Sequence, residues 1–151
     1  MRPRRLTVTA TLAVAALAIL SLAIAPAHSQ SPETFKARLS PVPISVAMMS
    51  TIAGTGALTA TLSGKQLTIQ GTFEGLRSAA TTAQIHRSPK GIPGPVIPNL
   101  SLTVTNAMKG TVSGTLELST DQIADLRGGR LYVQIQSQGA PDGNLWGWIL
   151  Q

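Results

Sequence analysis

Residues 131–150 read LYVQIQSQGAPDGNLWGWIL, in which two alternating runs of apolar and polar residues flank a loop of Gly, Pro, Asp and Asn. This pattern predicts a β-hairpin, because successive side chains of a strand point to opposite faces. Pairing the two arms in phase would bring their non-core side chains together on one outward face. That face would carry Tyr132, Gln134, Gln136, Trp146 and Trp148.

Alternating runs upstream predict further strands, two of which flank a Ser-Gly-Lys turn typical of a hairpin. The predicted strands cover residues 35–39, 57–62, 67–73, 82–87, 100–105 and 111–118. Prolines near residues 32–43 would keep the first of them at a sheet edge. Residues 88–95, SPKGIPGP, are expected to form a structured turn whose Lys90, like the preceding Arg87, is a solvated charge.

A short helix is predicted after the sixth strand. Ser119 and Gln122 have capping-box spacing, and the Gly128-Gly129 pair would end the helix, whose Asp121 and Asp125 are expected on its exposed side. Together the elements predict an all-β domain. Its expected architecture is a single antiparallel β-sandwich of Ig-like or Greek-key type, with about seven to nine strands and one short connecting helix.

The first 29 residues have the pattern of a secretory signal peptide. Three arginines precede an apolar run over residues 12–25, and small residues suit cleavage after Ala27 or Ser29. An uncleaved membrane anchor is the alternative, although the run is shorter than the roughly 20 residues that a spanning helix needs. Residues 30–151 would then form one mature domain. We expect it to be secreted or periplasmic and to meet a membrane only through the transient signal peptide.

Charge and cysteine content narrow the possible functions. The chain has 12 Lys and Arg residues, six Asp and Glu residues and a net charge of +6. Without the three arginines of the signal, nine cations minus six acids leave +3, and these cations are scattered. This distribution argues against a nucleic-acid surface. The absence of cysteine excludes thiol catalysis, disulfides and thiolate metal sites.

Four motifs in this order resemble the CHRD domain, a module named for the extracellular growth-factor antagonist chordin and found in many exported bacterial proteins. They are residues 82–87 (TAQIHR), 91–96 (GIPGPV), 131–135 (LYVQI) and 141–149 (PDGNLWGWI). Weaker agreement extends back to residues 35–39, so the resemblance spans nearly all of the mature chain. It implies an extracytoplasmic binding or structural module.

The chain departs from the family pattern at a few positions. Members typically carry His-Ile-His where this chain has Gln84-Ile85-His86, and a histidine at the position of Gln136. They carry Gly-Glu-Ile-Arg-Gly-Gln where residues 143–148 read GNLWGW. Glutamines thus replace two histidines, and tryptophans replace an Arg and a Gln.

The histidine-bearing relatives imply an alternative function, that of a metal-binding protein or metal-dependent enzyme. Three converging imidazoles could hold zinc or copper, but a lone His86 cannot. A further arrangement would combine His86 with the amine and ring of His28, if cleavage follows Ala27. No carboxylate pair, Ser-His-Asp pattern or phosphate loop indicates catalysis. We therefore predict neither a metal nor a cofactor.

The sequence thus predicts an exported, non-catalytic CHRD-like binding or structural module. Two indoles beside amides could stack on a sugar ring or an apolar group, so the expected partner is a cell-envelope glycan or a protein. Two alternatives stay open: a loop or the Pro-rich first segment covers the tryptophans, or the surface is only structural. The candidate ligand-binding residues are Gln84, His86, Tyr132, Gln134, Gln136, Trp146 and Trp148.

Overall fold

The computed structural model describes residues 31–43 and 45–151, so the predicted signal peptide and His28 lie outside the described residues. Within this part, no helix is long and apolar enough to cross a membrane. The elements are β1 (Glu33–Pro41), a 3-10 turn (Val46–Met48), β2 (Thr55–Ser63), β3 (Gln66–Glu74), β4 (Ala80–Arg87), β5 (Val96–Val104), β6 (Gly110–Glu117), α1 (Thr120–Arg127), β7 (Leu131–Ser137) and β8 (Ala140–Trp148). The prediction of an antiparallel all-β domain with one short helix is confirmed.

The strands close into a barrel in the order β1-β2-β3-β6-β5-β4-β7-β8. Closure depends on the seam between β1 and β8, where Ser40 pairs with Trp146 and Lys36 bridges to Leu150. The predicted sandwich is wrong at this seam. Pro41 is the last residue of β1 and lies opposite Leu145 of β8, so a proline at the end of the strand does not prevent β1 from pairing along both of its edges.

Alternate residues of each strand point into the barrel and fill its interior, so the residues between them point outward. On β4 the inward residues are Ala83 and Ile85, and on β7 they are Leu131, Val133 and Ile135, all of them fully buried. The opposite parity of β4, β7 and β8 therefore lies on the outer surface of the barrel.

Helix α1 begins with the predicted capping box, in which Ser119 and Gln122 each bind the other's backbone N–H. The expectation that Asp125 is exposed is wrong, since only 1% of it is exposed. Its carboxylate lies 2.6 Å from Arg87 Nη2 and 2.8 Å from Arg130 Nη2. Arg87 is therefore an ion-pair partner rather than a free solvated charge, because the buried carboxylate of α1 lies beside the last residue of β4.

A second ion pair links the end of α1 to the start of β1, and it should give stability a pH dependence. Arg127 Nε donates to Glu33 Oε2 at 3.0 Å. This hydrogen bond, with a smaller contribution from the charge of Arg127, outweighs desolvation and holds the pKa of Glu33 below its ordinary value of 4.5. A carboxylate with a lowered pKa in the folded state stabilises the fold above its unfolded pKa, and this stabilisation disappears as pH falls through the folded pKa.

We therefore expect Arg127→Gln to lose less stability than the wild type between about pH 6 and about pH 3. Chemical denaturation of both proteins across this range measures the difference. An identical pH dependence of the two unfolding free energies would contradict the role assigned to this pair.

Candidate functional site

Aromatic side chains form one half of the outer surface of β4, β7 and β8. Tyr132 lies at their centre, because His86 on β4 and Trp148 on β8 occupy the facing register positions. The Tyr132 ring centre lies 5.0 Å from that of His86, 4.7 Å from that of Trp148 and 5.8 Å from that of Trp146. We call these four residues the aromatic patch. It contains both tryptophans and the single tyrosine of the chain.

Glutamines form the other half of this surface. Gln136 Nε2 donates to Gln84 Oε1 at 3.2 Å, and Gln136 Oε1 accepts from the Thr82 hydroxyl at 2.6 Å. Gln134 Nε2 donates to the backbone carbonyl of Asp142 at 2.9 Å. The structure thus places the candidate residues of three strands on one surface, with the amides engaged by neighbouring protein groups.

The loop between β4 and β5, residues 88–95, covers the aromatic patch, and we call it the strap. The Gly94 carbonyl accepts from His86 Nδ1 at 2.9 Å, while the Gly94 N–H donates to the Tyr132 hydroxyl at 3.0 Å. A Cβ at this position would lie 2.1 Å from the Arg87 carbonyl oxygen. Glycine therefore allows the strap to approach the patch closely enough for both hydrogen bonds.

The strap and its neighbours leave little of the tryptophans exposed. Trp148 Nε1 donates to the Ser88 carbonyl at 3.2 Å, and Val42 and Leu150 pack against the cluster that the tryptophans form with Tyr132. Each tryptophan is 8% exposed. Of the alternatives that the sequence left open, the structure shows cover by a loop: the face is on the outside of the barrel, and the strap lies over it.

A groove of about 350 Å³ runs along the edge of the patch, between β1, β8 and the strap. Arg38 and Ser40 on β1 were not among the predicted site residues, since β1 was expected at a sheet edge and not beside β8. The sequence did indicate that both side chains point outward, because they alternate with the apolar residues Ala37 and Leu39 along β1. The groove is lined by Arg38, Ser40, Lys90, Gly91, Trp146, Gly147, Trp148 and Leu150.

The polar groups of this groove are mainly hydrogen-bond donors. Arg38 and Lys90 are exposed cations. Trp148 uses its indole N–H on Ser88, whereas the Trp146 N–H has no hydrogen-bond partner among the described residues. The lining residues include no carboxylate. A ligand rich in acceptors would therefore complement the groove.

The chain matches a known protein family over most of its length. A family model described as the CHRD domain matches residues 35–149. The chain belongs to the CHRD domain family. The match begins within β1 and ends directly after β8, so it includes the barrel, the strap and the aromatic patch. No curated protein and no solved structure matches the chain.

Within this CHRD domain, Gln84 and Gln136 contact each other directly. His86 Nδ1 faces a carbonyl oxygen, which can only accept, so Nδ1 carries a proton and Nε2 is the remaining ring nitrogen. That Nε2 atom is buried without a hydrogen-bond partner in the described part of the chain. No three His, Cys, Asp or Glu side chains of the described residues could together hold a metal ion. One imidazole beside two paired amides does not fit a zinc or copper centre.

Proposed function

We propose that this CHRD domain is a non-catalytic binding module that works outside the cytoplasm and holds a cell-envelope glycan in the groove beside Trp146 and Trp148. The observation that carries the proposal is that two tryptophans, Arg38 and Lys90 line one space of about 350 Å³. Sugars present both apolar C–H surfaces and hydroxyl acceptors, so aromatic walls with a few polar groups suit them.

A non-catalytic role is supported by what the polar side chains already do. His86 Nδ1 holds the strap, and Gln84 and Gln136 bind each other. Asp125, the buried carboxylate of the described region, is engaged by two arginines. A general acid or base must instead reach a proton of the bound substrate. The proposal that the domain acts outside the cytoplasm rests on the sequence pattern of residues 1–29.

Tryptophan emission tests the proposal, because both tryptophans of the chain line the groove. We expect titration with soluble glycan released from a cell envelope to change this emission saturably. The Lys90→Ala variant should respond more weakly, since it loses a cation of the groove. Lys109→Ala is the matched control, because it removes an exposed cation from the loop between β5 and β6. A wild-type protein whose emission stays constant throughout the titration would contradict the proposal.

A further inference from the structure

We infer that the ligand is an acidic polysaccharide, bound as an extended chain across the outer surface of the barrel with carboxylates at Arg38 and Lys90. This inference rests on the proposed function, because it names the ligand class of the same groove. It also adds a track that leads away from the groove over the neighbouring strands.

The track consists of three contiguous depressions. The groove beside the aromatic patch shares Arg38 with a depression of about 580 Å³ on the outer side of β1, β2 and β3. That depression in turn shares Thr59, Gln70 and Thr72 with a third one, of about 530 Å³, which extends onto β6. The strands involved, β8, β1, β2, β3 and β6, are consecutive neighbours around the barrel.

Five neighbouring strands span four strand spacings, or roughly 19 Å of surface at about 4.8 Å each. A surface of this length offers space for several linked units of a polymer, and it is much longer than a single small molecule requires. The neutral groups along it suit sugar hydroxyls, since threonine hydroxyls and a glutamine amide can both donate and accept.

The charged residues that line the three depressions of the track are all cations. Its lining residues include three cations, Lys36, Arg38 and Lys90, and no carboxylate. None of these three takes part in an ion pair within residues 31–43 and 45–151. Glu74, at the end of β3, lines a fourth depression, which shares Gly56, Ala57 and Thr72 with the one on β1, β2 and β3, so one carboxylate lies beside the track. Because three cations line the track itself and none of them is paired with a carboxylate of the described residues, an anionic chain complements them better than a neutral one.

Arg38 suits a carboxylate of such a chain, because a planar guanidinium can donate two parallel hydrogen bonds to the two carboxylate oxygens. A single-stranded nucleic acid is a less suitable occupant. Such strands are usually held by bases stacked on successive aromatic side chains along a groove, and the aromatic residues that line the track, Trp146 and Trp148, both lie at one end of it. Three cations also provide a weak electrostatic footprint for a nucleic acid.

Calorimetric titration with oligogalacturonate and with its methyl ester tests the inference, because esterification removes the charge and keeps the sugar backbone. We expect the purified protein to bind the acid form at least roughly tenfold more tightly than the ester, with an affinity that falls as salt is added. Equal affinities would overturn the inference while leaving the proposed glycan-binding function in place. Binding of neither probe would also overturn it, and the proposed function would then depend on the emission titration with cell-envelope glycan.

Two matched variants test whether the preference for the acid form depends on Arg38. Arg38→Gln should weaken binding of the acid form by roughly tenfold and leave binding of the ester nearly unchanged. Arg77→Gln removes an exposed arginine from the loop between β3 and β4, outside the track, and should leave both affinities unchanged. Equal losses in the two variants would overturn the assignment of Arg38. A single-stranded oligodeoxynucleotide that binds more tightly than oligogalacturonate would overturn the choice of polysaccharide.

Discussion

Tyr132→Ala is expected to lower the free energy of unfolding by roughly 3–5 kcal/mol, the usual cost of truncating a large buried aromatic side chain. None of Tyr132 is exposed, and its ring contacts His86, Trp146 and Trp148. The truncation leaves a cavity between these rings and also removes the hydroxyl that binds Gly94 in the strap. Chemical denaturation measures the loss. The tryptophan emission maximum of the variant should lie to the red of the wild-type maximum, because the indoles become exposed to water.

Tyr132→Phe separates the ring from the hydroxyl. This variant keeps the packing but leaves the Gly94 N–H without its partner, so we expect a loss of about 1–2 kcal/mol. Its emission should stay close to that of the wild type. If Tyr132→Ala costs no more than Tyr132→Phe, then the ring is not packed at the centre of the aromatic patch as described.

The double variant Arg87→Ala/Arg130→Ala is expected to cost roughly 3 kcal/mol, because it leaves the carboxylate of Asp125 buried without a counterion. The carboxylate side chain is 2% exposed, while the two arginine side chains are 55% and 48% exposed. Water can enter where the arginines stood, so the expected cost lies at the low end for a broken buried pair. Urea denaturation at neutral pH measures the change.

Adding Asp125→Asn to the double variant should recover much of the lost stability, since a neutral amide is less costly to bury unpaired than a carboxylate. The recovery distinguishes a charge effect from a loss of arginine packing. A triple variant no more stable than the double variant would show that packing, and not the buried charge, explains the loss.

The residues that make up the candidate surface could be predicted from the alternation of apolar and polar residues along each strand. Apolar residues at alternate positions of β7 and β8 indicate which side chains leave the core. The register was predicted only in part, because Trp146 does face Gln134 but Trp148 faces Tyr132 instead of a glutamine. The capping box of α1 could also be predicted from the sequence, because its hydrogen bonds join residues three positions apart. These features depend on neighbours in the chain, which a sequence displays directly.

Exposure of the same surface could not be predicted, because it depends on where the strap folds. The Gly- and Pro-rich composition of residues 88–95 indicates a turn but not its partners. Its cover over Tyr132 requires hydrogen bonds between residues 38 positions apart and a close backbone approach at Gly94. Burial of Asp125 is similar, since helical periodicity does not reveal that Arg87 and Arg130 lie beside it.

Closure of the barrel was missed for two reasons. The seam joins β1 to β8, the most distant strands in the described chain, and no local pattern indicates such a pair. The Pro-Asp-Gly run beginning at Pro141 also reads as a loop, yet it lies within β8. At this run the pairing of β8 with β7 is irregular. Gly143 has a positive φ of 133°, which glycine adopts readily and which allows the chain to continue as a strand.

The central claim is that the groove edge of the aromatic patch binds an acidic glycan, and the two indole N–H groups report on it most directly. Trp146→Phe assigns their two signals in a proton–nitrogen NMR spectrum. We expect oligogalacturonate to move the Trp146 signal saturably, because this N–H has no protein partner in the described region, and to leave the Trp148 signal, held by Ser88, nearly in place. Two signals that both stay fixed at saturating oligogalacturonate, or movement of the Trp148 signal alone, would contradict the account.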